Sequence, residues 1–104
     1  MDTGMESRRE RIIRVLMDAD EPLDVFQIAC ILGLSPREAQ SLYEDLRHVA
    51  RTLKSRGLTL LMAPPACKTC GYVFKDLRKP RKPSKCPRCR SERISPPRFT
   101  VKTL

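Results

Sequence analysis

Cys67-Lys-Thr-Cys70 and Cys86-Pro-Arg-Cys89 place four thiols in two pairs, with fifteen residues between the pairs. A C-x2-C pair can curl round one metal ion, and two such pairs close a tetrahedral shell of thiolates. The spacing is that of a zinc ribbon holding one structural Zn2+ per chain, with Cys67, Cys70, Cys86 and Cys89 as its expected ligands. Two disulfides, or four unrelated thiols, are the competing readings. Each knuckle turns its backbone N–H groups toward sulfur and favours positive φ in the residue that follows. Gly71 supplies it after the first pair, and Arg90 holds the matching place after the second. Four thiolates leave the metal no open position for a substrate. The fifth cysteine, Cys30, lies in the run Ile28-Ala-Cys-Ile-Leu32 and is expected to be a small buried hydrophobe.

The chain of 104 residues carries a net charge of +9, unevenly placed. Residues 1–63 hold nine Lys/Arg against ten Asp/Glu, whereas residues 64–104 hold twelve against two. Four thiolates on a divalent ion remove about two of the positive charges from the second half. The remaining excess points to a polyanionic partner, nucleic acid first, with a solubility-promoting surface as the plain alternative. The basic load peaks at Lys75, Arg78, Lys79, Arg81, Lys82 and Lys85, where Asp76 is the sole acid and Pro80 and Pro83 oppose helix. Such an arm suits a phosphate backbone or a minor groove. No apolar run approaches the roughly eighteen residues of a membrane span, and no export pattern opens the chain. Thiols at metal-ligand spacing then point to a reducing cytoplasm.

The elements around the cysteines follow from caps and periodicity. Ser7 and Glu10 have capping-box spacing before Ile12, Val15, Leu16 and Ala19, which predicts a first helix over about residues 8–18. Asp24 and Gln27 open a second helix that ends at Leu32, before Gly33. Ser35, Pro36 and Glu38 open a third, whose stripe Ala39, Leu42, Leu46, Val49 and Leu53 runs toward Gly57. Helices two and three, separated by Gly33-Leu34-Ser35, have the spacing of a helix-turn-helix. Leu58–Ala63 reads as a strand, and Arg98–Leu104 alternates with Phe99 and Val101 inward. Pro64-Pro65 and Pro96-Pro97 fence the cysteine region, because proline cannot extend a ladder. If the two outer strands pair, the ribbon is an insertion at a hairpin tip; the rival is two tandem modules.

The expected fold is therefore α+β: a winged helix-turn-helix of three helices and a β-hairpin wing. Residues 1–63 form its core, strand 98–104 completes it, and a zinc ribbon occupies 64–97. From about residue 7 to 102, the chain resembles a small family of archaeal predicted transcription regulators. The resemblance rests on the helical segment and strand together with Cys67-x2-Cys70-Gly-Tyr-Val-Phe-Lys75, Cys86-Pro-x-Cys89 and Pro97-Arg-Phe99. It implies a winged helix with a rubredoxin-like zinc ribbon in the wing, and a DNA-binding role. Arg90 departs from the glycine usual after a rubredoxin-type second knuckle, which counts against iron-based electron transfer.

In that setting Arg37, Gln40 and Ser41 occupy the start of the expected reading helix, where side chains meet base edges. Arg47 and Arg51, further along, and Lys79, Arg81 and Lys82 on the arm are candidate phosphate contacts. Glu38, Glu44 and Asp45 bring opposing charge close by, so an ordinary solvated helix face is the competing reading. Tyr72 and Phe74 read as the ribbon's miniature core, with base-stacking platforms as the alternative. His48 is a solvent- or phosphate-facing residue, since four cysteines already complete the metal shell. No nucleophile is paired with a base and no Gly-rich phosphate loop is present, so no enzyme is expected. The partner is duplex DNA, or a transcription protein if the chain is an adaptor docking through its ribbon; homo-oligomers are left open.

Overall fold

The computed structural model describes residues 7–104. The first six residues of the expected 1–63 unit, and with them the start of the stretch read for an export signal, lie outside the described residues. Among the described residues, no helix is long and apolar enough to cross a membrane. The fold is α+β, with a three-helix body and a long hairpin that carries the cysteine region away from it.

Helix α1 spans Arg8–Asp18, and the Ser7 hydroxyl accepts the Glu10 N–H at 3.1 Å, as a cap should. Glu10 does not reach back to complete the box. Its carboxylate accepts from the Arg56 guanidinium at 2.7 Å, a charge-assisted bond that displaces the weaker one to a backbone N–H. Helix α2 spans Val25–Leu32 and has the full reciprocal cap between Asp24 and Gln27. Gly33 ends it at φ 77°, and Leu34 N–H returns to the Ala29 carbonyl at 2.8 Å. The α2 residues Val25, Ile28, Ala29 and Leu32 face the core. Cys30 falls on the other side of so short a helix and is exposed, not buried as expected.

The third helix differs from expectation in its first six residues. Pro36–Ser41 form a 3-10 segment, and helix α3 proper spans Leu42–Ser55. The Ser41 hydroxyl donates to the Glu38 carbonyl at 2.6 Å, a local bond that competes with regular α-helical pairing. Ala39, Leu42, Leu46, Val49 and Leu53 are fully buried, so the apolar stripe runs through both pieces. Asp45 is buried too, and so is withdrawn from the helix face where it was expected to oppose phosphate. The Arg8 and Arg9 Nε–H groups donate to its two oxygens at 2.7 and 3.0 Å, which bolts α1 to α3.

Strand β1 (Leu58–Ala63) pairs antiparallel with β4 (Arg98–Thr103), from Leu58 opposite Thr103 to Ala63 opposite Arg98. Phe99 also exchanges both backbone hydrogen bonds with Leu23, so β4 lies between β1 and the linker that precedes α2. The Phe99 ring is fully buried among the helices, and Val101, Leu58, Leu60 and Met62 pack beside it. Short strands β2 (Ala66–Cys67) and β3 (Ile94–Ser95) then pair in the same register as β1 and β4. Prolines 64, 65, 96 and 97 fill the gap, two on each side. The ribbon is thus the far end of one hairpin whose ladder is interrupted where no N–H exists to continue it. Pro65 and Pro97 are buried, so this junction is packed.

The buried residues form two clusters. One holds fourteen helical-body residues including Phe99, and the other holds Cys67, Cys86 and Ile94 with Tyr72 and Phe74 against them. Replacing Phe99 by Ala is expected to cost about 3–5 kcal/mol in denaturant unfolding of the zinc-loaded protein. Chelation should release amide protection over residues 64–97 while α1 and α3 stay protected, because only the second cluster depends on metal. Amide exchange with and without chelator measures this; equal loss in α1 would mean that the two clusters fold as one unit.

Candidate functional site

The two knuckles are built alike. Cys67 N–H donates to the Tyr72 carbonyl at 2.8 Å and Gly71 N–H to the Cys67 carbonyl at 2.9 Å. In the second, Cys86 N–H donates to the Ser91 carbonyl at 2.9 Å and Arg90 N–H to the Cys86 carbonyl at 2.8 Å. Both turns close on a residue of positive φ, Gly71 at 82° and Arg90 at 64°. Arg90 is the sole non-glycine residue at positive φ among the described residues. The knuckles are tied together by Lys68 N–H to the Arg93 carbonyl at 2.8 Å and by the Thr69 and Ser91 hydroxyls at 2.9 Å.

This pairing brings the Cys67, Cys70, Cys86 and Cys89 sulfurs within 4.8 Å of one another. Cys67 to Cys89 is 3.5 Å and Cys70 to Cys86 is 3.6 Å. A tetrahedron with Zn–S bonds of about 2.3 Å has edges of about 3.8 Å, so the donor set fits one zinc ion. These separations are far beyond a disulfide bond, and all five cysteines are free thiols.

The knuckle N–H groups weight the sulfurs unequally. The Cys70 N–H, helped by that of Thr69, lowers the Cys67 thiol to about 6 although burial opposes it. At Cys86 burial pushes upward, yet the N–H groups of Cys89 and Arg88 bring the thiol below its ordinary value. At Cys89 the Ser91 N–H pulls downward, but burial and the three neighbouring sulfurs raise the thiol to about 12. Thiolate character is therefore strongest at the first cysteine of each knuckle, where two N–H groups converge. A zinc ion held by all four thiolates is closed to substrate and crosslinks the two halves of the ribbon.

A second feature lies where the ribbon's basic loop passes α3. Glu44, Arg47, His48 and Arg51 on the helix, with Arg78, Lys79 and Pro80 on the loop, line an open groove of about 370 Å³. Glu44 accepts from Arg47 at 3.5 Å and lies 3.3 Å from the His48 ring nitrogen. The Arg47 Nε–H is buried without an acceptor among the described residues. Of the candidate nucleic-acid contacts, Arg47, Arg51 and Lys79 are brought together here. Arg37 and Gln40 are exposed but sit on the 3-10 segment, away from that groove. Ser41 faces α1, with its hydroxyl engaged by Glu38 and by Arg8 at 3.2 Å. Arg81 lines a different cavity, within the ribbon, together with Tyr72 and Phe74, and Lys82 is exposed beyond it. Arg78 lines both spaces yet was not among the expected site residues; its place in the same basic run was the available signal.

Residues 7–61 match the model of the PF0610-like N-terminal family, and residues 64–103 match the PF0610 rubredoxin-like zinc beta-ribbon domain. The chain belongs to the PF0610-like family. Its fold is similar to the solution NMR structure of protein PF0610 from Pyrococcus furiosus, with a TM-score of 0.80 and 32% identity. That likeness covers 100% of this chain and 96% of the other. A search of curated proteins gave no match. The family models place β4 with the ribbon, while the hydrogen bonds of β4 tie it to β1 and to Leu23.

Replacing Cys30 by Ala should leave metal content at one zinc per chain, and replacing Cys86 by Ser should abolish tight binding. Stoichiometric metal in the Cys86 variant would overturn the ligand assignment. The two positive-φ positions make a further contrast. A Cβ at Gly71 would meet nothing within 4 Å, so Gly71→Ala should cost its backbone strain, about 1–2 kcal/mol, less the freedom it removes from the unfolded chain. Arg90→Gly relieves a similar strain but frees the unfolded chain, so its net effect should stay within about 0.5 kcal/mol. Denaturant unfolding of the zinc-loaded variants checks both.

Proposed function

We propose that this chain is a cytoplasmic, non-enzymatic, DNA-binding transcription regulator, built as a winged helix-turn-helix with its zinc ribbon inserted in the wing. The order of helix α2, the Gly33 turn, and the 3-10 segment with α3 supports the helix-turn-helix reading. The β1–β4 hairpin beside Leu23 supports the reading of a wing. The observation that carries the reading is the groove in which Arg47 and Arg51 of α3 face Arg78 and Lys79 of the loop. Four cations from elements far apart in sequence converge there around a single carboxylate, Glu44. Phosphate oxygens are the matching partner for such a surface. Arg37 and Gln40, exposed ahead of α3, carry forks suited to base edges.

On this reading the loop supplies affinity and the 3-10 segment ahead of α3 supplies sequence preference. With about four or five cations neutralising phosphates, log K against log[salt] should fall with a slope of roughly −4. Changing Lys79, Arg81 and Lys82 to Ala should weaken all duplexes alike and flatten the slope by about 2–3 units. Changing Arg37 or Gln40 should relax discrimination at one base pair by about 1–3 kcal/mol. Binding that keeps its salt slope through the triple change would remove the loop from the interface. Absence of duplex binding at low salt would favour an adaptor that docks its ribbon on the transcription machinery.

A further inference from the structure

An open depression on the ribbon, about 380 Å³, is chemically unlike the groove beside α3. Tyr72, Phe74 and Leu77 give it an apolar wall; Arg78, Lys79 and Arg81 surround that wall, with Asp76 as the one acid. The two rings meet edge to face, with centroids 5.0 Å apart and planes at 89°. Both are half-buried and pack against the cluster of Cys67, Cys86 and Ile94, which backs them from within the ribbon. A fixed aromatic wall edged with cations is the surface on which an unpaired base stacks while its phosphates are neutralised. A simple anion would leave the aromatic wall unused, and an apolar ligand would meet three cations. Paired bases inside a duplex cannot present a face to that wall. Arg78 and Lys79 line both this cavity and the groove at α3, so the two spaces share one basic edge.

We propose that the ribbon binds one unpaired nucleobase, stacked on Tyr72 or Phe74, with the adjoining phosphates on Arg78, Lys79 and Arg81. The protein then prefers a duplex that ends in, or opens into, a single strand. The inference rests on the nucleic-acid reading of the basic loop and names the structure that the loop recognises.

The test uses the full zinc-loaded chain and fluorescence anisotropy at one salt concentration. A blunt duplex is compared with the same duplex carrying a short thymidine or uridine tail, the same tail without bases, and the tail alone. The base-bearing tail should tighten binding about tenfold, in the range of one stacked base. The base-free tail should give little of this gain. Equal affinity for blunt and tailed duplexes, or a gain kept by the base-free tail, overturns the proposal. Binding of the tail alone without binding of the blunt duplex would reject the duplex-reading function and support the pocket, which separates the two failures. One of Tyr72→Leu and Phe74→Leu should abolish the gain while leaving blunt-duplex affinity unchanged, and a gain kept by both variants overturns the proposal. Because these rings also pack on the metal centre, photocrosslinking of a 5-iodouridine tail to the unaltered protein gives a second readout. Adducts at Tyr72 or Phe74 are expected; adducts confined to α3, or none, overturn the assignment.

Discussion

Strand β4 comes after the ribbon in sequence, yet it inserts between β1 and Leu23 and drives Phe99 into the helical core. The helices cannot complete their apolar interior until the chain has gone out through the ribbon and come back. Both ends of residues 64–97 are thereby pinned to one hairpin, and the register that fixes Ala63 opposite Arg98 also fixes Cys67 opposite Ile94. The four prolines mark a break in hydrogen bonding and leave the direction of the hairpin unchanged. That constraint decides where the basic loop lies relative to α3.

The two parts solve the problem of small size differently. The helical body buries aliphatic side chains from every element, closed by capped helix ends and by the Arg8, Arg9 and Asp45 ion pairs. The ribbon has a buried cluster of only Cys67, Cys86 and Ile94 with two aromatic rings beside it. So small a cluster cannot offset the ordering of some thirty residues by apolar burial alone, and a four-thiolate crosslink supplies the remainder. The arrangement leaves most of the ribbon's surface free for cations. Its thiolates offset part of that positive charge at short range.

The charge asymmetry along the chain becomes a spatial one through the same topology. Asp45, which in sequence weakens the positive face of α3, is withdrawn into the contact with α1 and neutralised there. Glu44 remains as the acid of the groove and holds Arg47 and His48 near it. Cations from α3 and from the loop then face one another across a space that no single segment could form. The aromatic cavity continues that edge into the ribbon, where metal ligation and ring placement depend on each other.

The sequence alone determined what depends on local chemistry. The two C-x2-C pairs specify the ligand set because a knuckle is closed by its own backbone bonds. The caps at Ser7 and Asp24, the left-handed Gly33, and the stripe of α3 were legible for the same reason. Residues several turns apart were not legible. Glu10 abandons its cap for Arg56, forty-six positions away, because an ion pair outcompetes a neutral bond. Ser41 stays exposed but is held by Arg8, thirty-three positions away, and Cys30 turns outward because an eight-residue helix has room for only four core positions. The spacing of the prolines showed that a ladder must stop, but not that it resumes in register beyond them. Only the tertiary structure decided that Arg78 and Lys79 lie opposite Arg47 and Arg51 and beside Tyr72 and Phe74. That placement follows from the return of β4 to the core: the inward alternation of Phe99 and Val101 announced the return, but the register that aims the loop at α3 is a long-range pairing.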